Sequence, residues 1–133
     1  MGGKNNARAN HIKILLIDDE VAYVNVLSNR LKKRNFYVAK AFSGTEAIQI
    51  LRRQDFDIAV LDLKMEDMDG IEVLKILKKM DPQIAVIMLT GHGSAKAARE
   101  GIEYGALDYL TKPCELDELI AKIHDAYRKR NNV

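Results

Sequence analysis

Acidic, hydroxyl and amino side chains follow four of the apolar runs in this chain, each at the point where a run ends. Asp18 and Asp19 follow the first run, Asp62 the third, Thr90 the fourth, and Lys112 comes shortly after the fifth. If the runs are parallel strands, these residues lie at the carboxyl edge of the sheet, where open α/β sheets bind ligands. The sequence therefore predicts one site built from four separate segments.

Three carboxylates in one site need a compensating charge. Two unit charges about 4 Å apart repel by about 4 kcal/mol at an effective dielectric of 20, so either a carboxyl group is protonated or a cation joins the cluster. Oxygen ligands select a hard divalent ion, here Mg²⁺ with Mn²⁺ as a substitute. A metal ion, a lysine and a hydroxyl together suit a phosphoryl group, because they neutralise or donate to its oxygens. A carboxylate would then act as nucleophile and form an aspartyl phosphate.

The elements that position these side chains are indicated by five short apolar runs with helical patterns between them. The runs cover residues 12–17, 36–40, 57–61, 84–89 and 106–110. Nearly continuous Val, Ile and Leu is typical of strands covered on both faces of a parallel sheet. The strict alternation of strands and helices predicts an α/β fold with right-handed crossovers and helices on both faces of the sheet.

Apolar stripes and capping residues indicate where the helices lie. The stripes consist of residues spaced three and four apart: Val21, Val24, Leu27 and Leu31; Ile71, Leu74 and Leu77; Leu116, Leu119, Ile120, Ile123 and Tyr127. Ser43 and Glu46 have the spacing of a capping box, and Asp69 and Ser94 stand where further helices begin. These signals predict a helix after each of the strands they follow.

Length and composition limit the classes of protein that this chain can be. It has 133 residues, 47% of them hydrophobic, and a net charge of +2, which predicts one folded domain rather than a disordered chain. Its longest apolar run, residues 84–89, is far shorter than the ~18–20 residues of a membrane span. A single cysteine, Cys114, is consistent with a reducing cytoplasm. We predict a flexible tail over residues 1–11, one domain over 12–130 and a short tail over 131–133.

The chain resembles the receiver domains of two-component response regulators from about residue 13 to residue 127. The resemblance rests on the segments ILLIDDE, AVLDLKMEDMDG, VIMLTGHG and DYLTKP and on their separations. It implies a doubly wound sheet of five parallel strands in the order 2-1-3-4-5, with five helices. It also suggests the single-domain type of regulator, similar to the chemotaxis regulators.

The resemblance implies a role for each polar residue at the sheet edge. Asp62 would be the phosphoacceptor. Asp19 would bind Mg²⁺ directly, with Asp18 contributing and the backbone carbonyl of Lys64 completing the protein ligands.

Further residues are expected to respond to the phosphoryl group. Thr90 would bond a phosphoryl oxygen, and Lys112 would form a salt bridge with the group. The Lys112–Pro113 peptide bond would be cis. Tyr109 would act with Thr90 as the switch, its ring turning inward when the threonine moves toward the phosphoryl group.

The resemblance also implies partners. A sensor histidine kinase or a phosphotransfer protein would supply the phosphoryl group, and a downstream protein would bind the surface formed by the fourth helix, fifth strand and fifth helix. A phosphorylation-dependent dimer is a further expectation, whereas direct contact with nucleic acid or a membrane is not expected. The domain would catalyse its own phosphorylation and slow hydrolysis without being an enzyme for a free substrate.

Departures from the family pattern leave alternatives open. Glu66 stands where the family often has proline after Met65, which predicts a less rigid and more acidic loop, and Cys114 stands where phenylalanine is frequent. A pseudo-receiver that binds proteins without being phosphorylated is the main alternative. A phosphohydrolase would commonly carry a second acid where Lys64 stands. A flavodoxin-like cofactor binder is disfavoured, because three consecutive acids end with Glu20 in the loop that would cradle a phosphate.

Overall fold

The computed structural model describes residues 11–91 and 95–131. Within these ranges five strands alternate with five helices. In chain order they are β1 (Lys13–Ile17), α1 (Val21–Lys33), β2 (Tyr37–Ala41), α2 (Gly44–Arg53), β3 (Ile58–Asp62), α3 (Gly70–Met80), β4 (Ala85–Thr90), α4 (Ala95–Glu103), β5 (Asp108–Thr111) and α5 (Leu116–Asn131). Residues 1–10 of the tail predicted over residues 1–11, the predicted cap Ser94 and residues 132–133 lie outside the described residues. Asn131, assigned to the C-terminal tail from the sequence, belongs to α5.

The described strands form one parallel sheet in the order β2-β1-β3-β4-β5, which confirms the predicted fold class and strand order. All carboxyl ends lie at one edge because every pairing is parallel. At that edge Ile17 is paired with Ala41 and Leu61, and Thr90 with Thr111. The sheet therefore brings the ends of five distant segments together.

Four of the strands end one residue later than the apolar runs predict. Asp62 is the last residue of β3 and pairs with Leu89, and Thr90 is the last residue of β4. Sequence reasoning placed both just after their strands. Because they belong to the strand ladder, the backbone of each is held by the sheet rather than by a loop.

Two apolar clusters cover the two faces of the sheet. In β1, Ile14 and Leu16 belong to the cluster that α1 and α5 cover, whereas Leu15 and Ile17 belong to the cluster that α2 and α3 cover. This alternation follows from the two-residue period of a strand. Val21 was predicted in the apolar stripe of α1, but it is 52% exposed because that stripe turns toward the sheet only from Val24 onward.

Side chains cap two of the helices that frame the site. The Ser43 hydroxyl accepts a hydrogen bond from the Glu46 N–H, and the Glu46 carboxylate accepts one from the Phe42 N–H at 2.6 Å. In a capping box the glutamate would accept from the N–H of the cap residue Ser43, whereas here it accepts from the residue before the cap. The Asp69 carboxylate accepts from the Ile71 N–H at the start of α3. Among the described helices, none has the length and apolar character needed to cross a membrane.

Candidate functional site

The ammonium group of Lys112 lies at the centre of the site. Its Nζ atom is 2.9 Å from Asp18 Oδ2, 2.6 Å from Glu20 Oε1 and 3.8 Å from Asp62 Oδ2. The structure thus brings together residues that follow β1 and β5 with the last residue of β3. The side chain of Asp18 is 0% exposed and that of Asp62 is 7% exposed, so Asp62 alone of these two buried acids retains contact with solvent.

The turn after β1 places Asp18 in the site. The Asp18 N–H donates to the Ala41 carbonyl at the end of β2, which continues the strand pairing by one residue. One carboxylate oxygen of Asp18 accepts from the Glu20 N–H, and the other accepts from Lys112. Both oxygens of this buried carboxylate are therefore satisfied, as a buried charge requires.

The carboxyl group of Asp62 has an unusual protonation equilibrium. Its Oδ1 atom accepts a hydrogen bond from the Lys64 N–H at 3.1 Å. Burial raises its pKa to about 6; the hydrogen bond from Lys64 opposes this, while the charge of Asp18 adds to it and that of Lys112 opposes it. Desolvation disfavours the charged form of an acid, so a raised pKa is the expected result. Asp62 is thus mostly ionised at neutral pH, although burial disfavours its charge.

Lys112 remains charged under all ordinary conditions. Burial acts to lower its pKa, but hydrogen bonds to Glu20 and Asp18 outweigh burial and raise the pKa above its usual value. The aromatic ring of Tyr23 lies on another side of the ammonium, with the ring centre 4.6 Å from Nζ, a distance at which a cation is attracted to the ring. Lys112 is therefore confined between carboxylates and an aromatic face.

Cys114 lies close to this cluster without carrying a charge. Its Sγ atom is 3.9 Å from the Tyr23 hydroxyl. The Cys114 side chain packs against the apolar cluster that α1 and α5 cover. Burial raises the pKa of both the Cys114 thiol and the Tyr23 hydroxyl. The thiol is thus protonated and packs as a small apolar group.

Asp19 lies apart from the cluster that Lys112 joins. Its Oδ2 atom accepts a hydrogen bond from the Glu66 N–H at 3.0 Å. Among the described residues, the acids whose carboxylate oxygens lie within 4.8 Å of one another are Asp18, Glu20 and Asp62. Glu20 was not among the predicted site residues, although as the third of three consecutive acids after β1 it carried a signal. The predicted role of Asp19 as a direct metal ligand stays a prediction.

The loop between β3 and α3 is held at two points. The Asp67 carboxylate accepts from the Gly44 N–H at 3.0 Å and from the Thr45 N–H and hydroxyl at 3.1 Å each. Although desolvation opposes it, these bonds lower the pKa of Asp67. Asp67 thus caps α2 from the neighbouring loop, and the Asp19–Glu66 bond provides the second attachment. The absence of a proline predicted that this loop would be less rigid. In the structure, hydrogen bonds to the carboxylates of Asp67 and Asp19 hold the loop.

The predicted switch residues lie on adjacent strands. Thr90 is buried, and its hydroxyl donates to the Leu110 carbonyl at 3.4 Å. The side chain of Tyr109, next to Leu110 on β5, is turned to the surface, and the residue is 41% exposed. The Lys112–Pro113 peptide bond is cis.

The donor set at the sheet edge suits a hard divalent cation. Three carboxylates supply only oxygen ligands, and their charges exceed the single positive charge of Lys112. Oxygen ligands of this kind hold Mg²⁺ in proteins, which keeps several waters and uses one or two carboxylates. The residues present therefore fit Mg²⁺.

The fold and the site define a class of protein. A doubly wound parallel sheet presents a buried aspartate, further acids and a lysine at its carboxyl edge, which is the arrangement that the resemblance to receiver domains implies. The chain matches the family described as response regulator receiver domain over residues 14–124. It belongs to this family.

Relatives of known name support the assignment. The chain is 36% identical over 123 residues to the transcriptional regulatory protein ZraR of Escherichia coli K12, a match covering 92% of this chain and 28% of that protein. It is 37% identical over 114 residues to the alginate biosynthesis transcriptional regulatory protein AlgB of Pseudomonas putida, covering 86% and 25%. The chain thus spans about a quarter of the length of the curated relatives it matches.

Solved structures give the same result at the level of the domain. The receiver domain of the Francisella response regulator 1452 superposes with a TM-score of 0.82 at 33% identity and covers 90% of this chain and 98% of its own. A response regulator receiver domain from Clostridium thermocellum gives 0.86 at 34% identity and covers 90% and 97%. The described sheet and helices are therefore those of a complete receiver fold.

Proposed function

We propose that this domain accepts a phosphoryl group on Asp62 from a phosphohistidine of a sensor kinase or phosphotransfer protein. The observation that carries the proposal is the position of Asp62 at the end of β3. Its carboxylate retains solvent contact and lies 3.8 Å from the ammonium of Lys112. In this step the carboxylate attacks phosphorus and the phosphorus–nitrogen bond breaks. The electron pair of that bond stays on the imidazole nitrogen.

The side chains around Asp62 account for the chemistry of this transfer. Lys112 holds a positive charge where negative charge collects on the phosphoryl oxygens, and it is preorganised by Asp18. Asp18, Asp19, Asp62 and the backbone carbonyl of Lys64 are the proposed ligands for Mg²⁺. When bound, Mg²⁺ supplies further positive charge to neutralise the phosphoryl oxygens.

We propose that the signal leaves the site through Thr90 and Tyr109. The Thr90 hydroxyl donates to the carbonyl of Leu110 over 3.4 Å, which is long for a hydrogen bond. This bond is therefore weak, and a phosphoryl oxygen can replace the carbonyl as the acceptor. The exposed ring of Tyr109 then turns inward, and the surface formed by α4, β5 and α5 changes its affinity for a downstream protein. The phosphoryl group shifts this equilibrium only by its differential interaction with the two states.

The basic residues at the end of α5 favour a protein partner over nucleic acid. Arg128 and Lys129 pair with Asp125, and Arg130 pairs with Asp57 at 3.2 Å. Two acids pair with these three cations, which reduces the positive charge that they offer to phosphates. We further propose a cytoplasmic location and a dimer that forms on phosphorylation, which size measurements with and without a phosphoryl analogue would detect.

Beryllium fluoride with Mg²⁺, which mimics a phosphoryl group on a carboxylate, tests the proposal directly. We expect it to shift the backbone amide signals of residues around Thr90 and Tyr109, and we expect Asp62→Asn to abolish these shifts. Acetyl phosphate should add the mass of one phosphoryl group to the wild type only. A wild-type chain that shows neither response would be a pseudo-receiver.

A further inference from the structure

Glu20 contacts Lys112 more closely than either buried aspartate does. The Lys112 Nζ atom lies 2.6 Å from Glu20 Oε1 and 2.9 Å from Asp18 Oδ2. The nearest oxygen of Asp62 is 3.8 Å away, which is beyond hydrogen-bond distance. The ammonium therefore donates to Glu20 and Asp18, and not to the residue on which the proposed chemistry takes place.

The two partners of Lys112 differ in how easily they can be exchanged. The Asp18 side chain is fully buried, so separating it from the ammonium would leave an unpaired buried charge, which is strongly unfavourable. The Glu20 side chain is 63% exposed, and water can solvate its carboxylate when the ammonium leaves. Glu20 is thus the partner that an arriving group can replace.

The charge of Glu20 acts on the same groups. Its carboxylate oxygen lies within 4.8 Å of ligand oxygens of both Asp18 and Asp62. A phosphoryl group on Asp62 would bring further negative charge into this space, and Glu20 would repel it. A divalent cation in the same space would instead be attracted by Glu20.

We infer that Glu20 is a positioning residue of the phosphoacceptor site that holds Lys112 away from Asp62 until a phosphoryl group takes its place. This inference rests on the proposed function. It implies opposite effects on two ligands: Glu20 favours the binding of Mg²⁺, and it opposes the binding of a phosphoryl group. A residue with a merely structural role would change the affinity for both ligands in the same direction.

The test compares Glu20→Gln with a matched control, Glu66→Gln. Glu66 is an exposed acid of the neighbouring β3–α3 loop, and its substitution removes the same charge without touching Lys112. Calorimetric titration of the whole chain measures affinity first for Mg²⁺ alone and then for beryllium fluoride at saturating Mg²⁺. Urea unfolding shows whether each variant is folded.

We expect Glu20→Gln to bind beryllium fluoride about fivefold more tightly and Mg²⁺ several-fold more weakly than wild type. These changes in affinity correspond to the usual contribution of an exposed ion pair. High salt should reduce the gain, since the contact is solvent-exposed. Glu66→Gln should resemble wild type. Equal beryllium fluoride affinity in the two variants, or a loss of affinity for both ligands in Glu20→Gln, would overturn the inference. If wild type binds no beryllium fluoride, or binds it equally after Asp62→Asn, the proposed function itself fails.

Discussion

Replacing Asp62 by asparagine should stabilise the metal-free domain. Burial raises the pKa of this carboxyl group from 3.8 to about 6, so folding disfavours its charged form. This rise in pKa corresponds to a cost of roughly 3 kcal/mol in folding free energy when the carboxyl group is charged. Because Asp62 retains some contact with solvent, we expect a cost of about 2 kcal/mol. Asparagine keeps an oxygen for the hydrogen bond from Lys64 and carries no charge.

The pH dependence of this effect has a definite sign. Between about pH 4 and about pH 6 the native state binds more protons at Asp62 than the unfolded state, so wild-type stability falls as the pH rises. The advantage of Asp62→Asn should therefore be absent near pH 4, grow through pH 6 and be complete above about pH 7. Urea unfolding in the presence of a chelator, followed by circular dichroism at several pH values, measures the difference.

Controls separate this effect from a general change in charge. Asp55→Asn makes the same chemical change at an exposed position at the opposite edge of the sheet and should leave stability unchanged. Mg²⁺ should stabilise the wild type more than the Asp62→Asn variant, because binding to the native state adds to its stability. An Asp62→Asn variant no more stable than wild type above about pH 7 would refute the assignment of a buried, disfavoured charge.

Three further predictions concern the framework of the site. A Cβ atom on Gly70 would lie 2.5 Å from a backbone oxygen of the preceding loop, so Gly70→Ala should lower the free energy of unfolding by about 3 kcal/mol or more, as measured by thermal unfolding. A Cβ atom on Gly91 would have no atom within 4 Å, so the control Gly91→Ala should be tolerated. Asp67→Ala should lower the free energy of unfolding by about 1 kcal/mol, which is the usual contribution of a helix cap. If the binding free energy of Mg²⁺ falls by more than this, the loop contributes more to the site than to the fold. Lys112→Met should cost about 3 kcal/mol at neutral pH in urea unfolding, because it leaves the buried charge of Asp18 unpaired, and an unchanged midpoint would contradict that pairing.

The strands, the helices and the edge that bears the site were predictable because the signals for them are local, whereas the strand order came from the resemblance to receiver domains. Continuous apolar runs, apolar stripes and the caps at Ser43 and Asp69 all depend on residues close together in the chain. Once five parallel strands are recognised, topology alone places residues such as Asp62 and Lys112 at one edge. The resemblance in four segments then indicated the class of domain.

The direction of each side chain at that edge was decided only by the tertiary structure. Three consecutive acids after β1 are equivalent in the sequence, yet Asp18 is buried, Asp19 bonds the Glu66 N–H and Glu20 reaches Lys112. The turn that Asp18 forms with the Glu20 N–H separates them. The partners of these acids are Lys112, just after β5, and Glu66, in the β3–α3 loop, and both are more than 40 residues away in the chain. Sequence periodicity reports which face a residue occupies, whereas the partner of a charged group depends on which distant atoms the fold brings within hydrogen-bond distance.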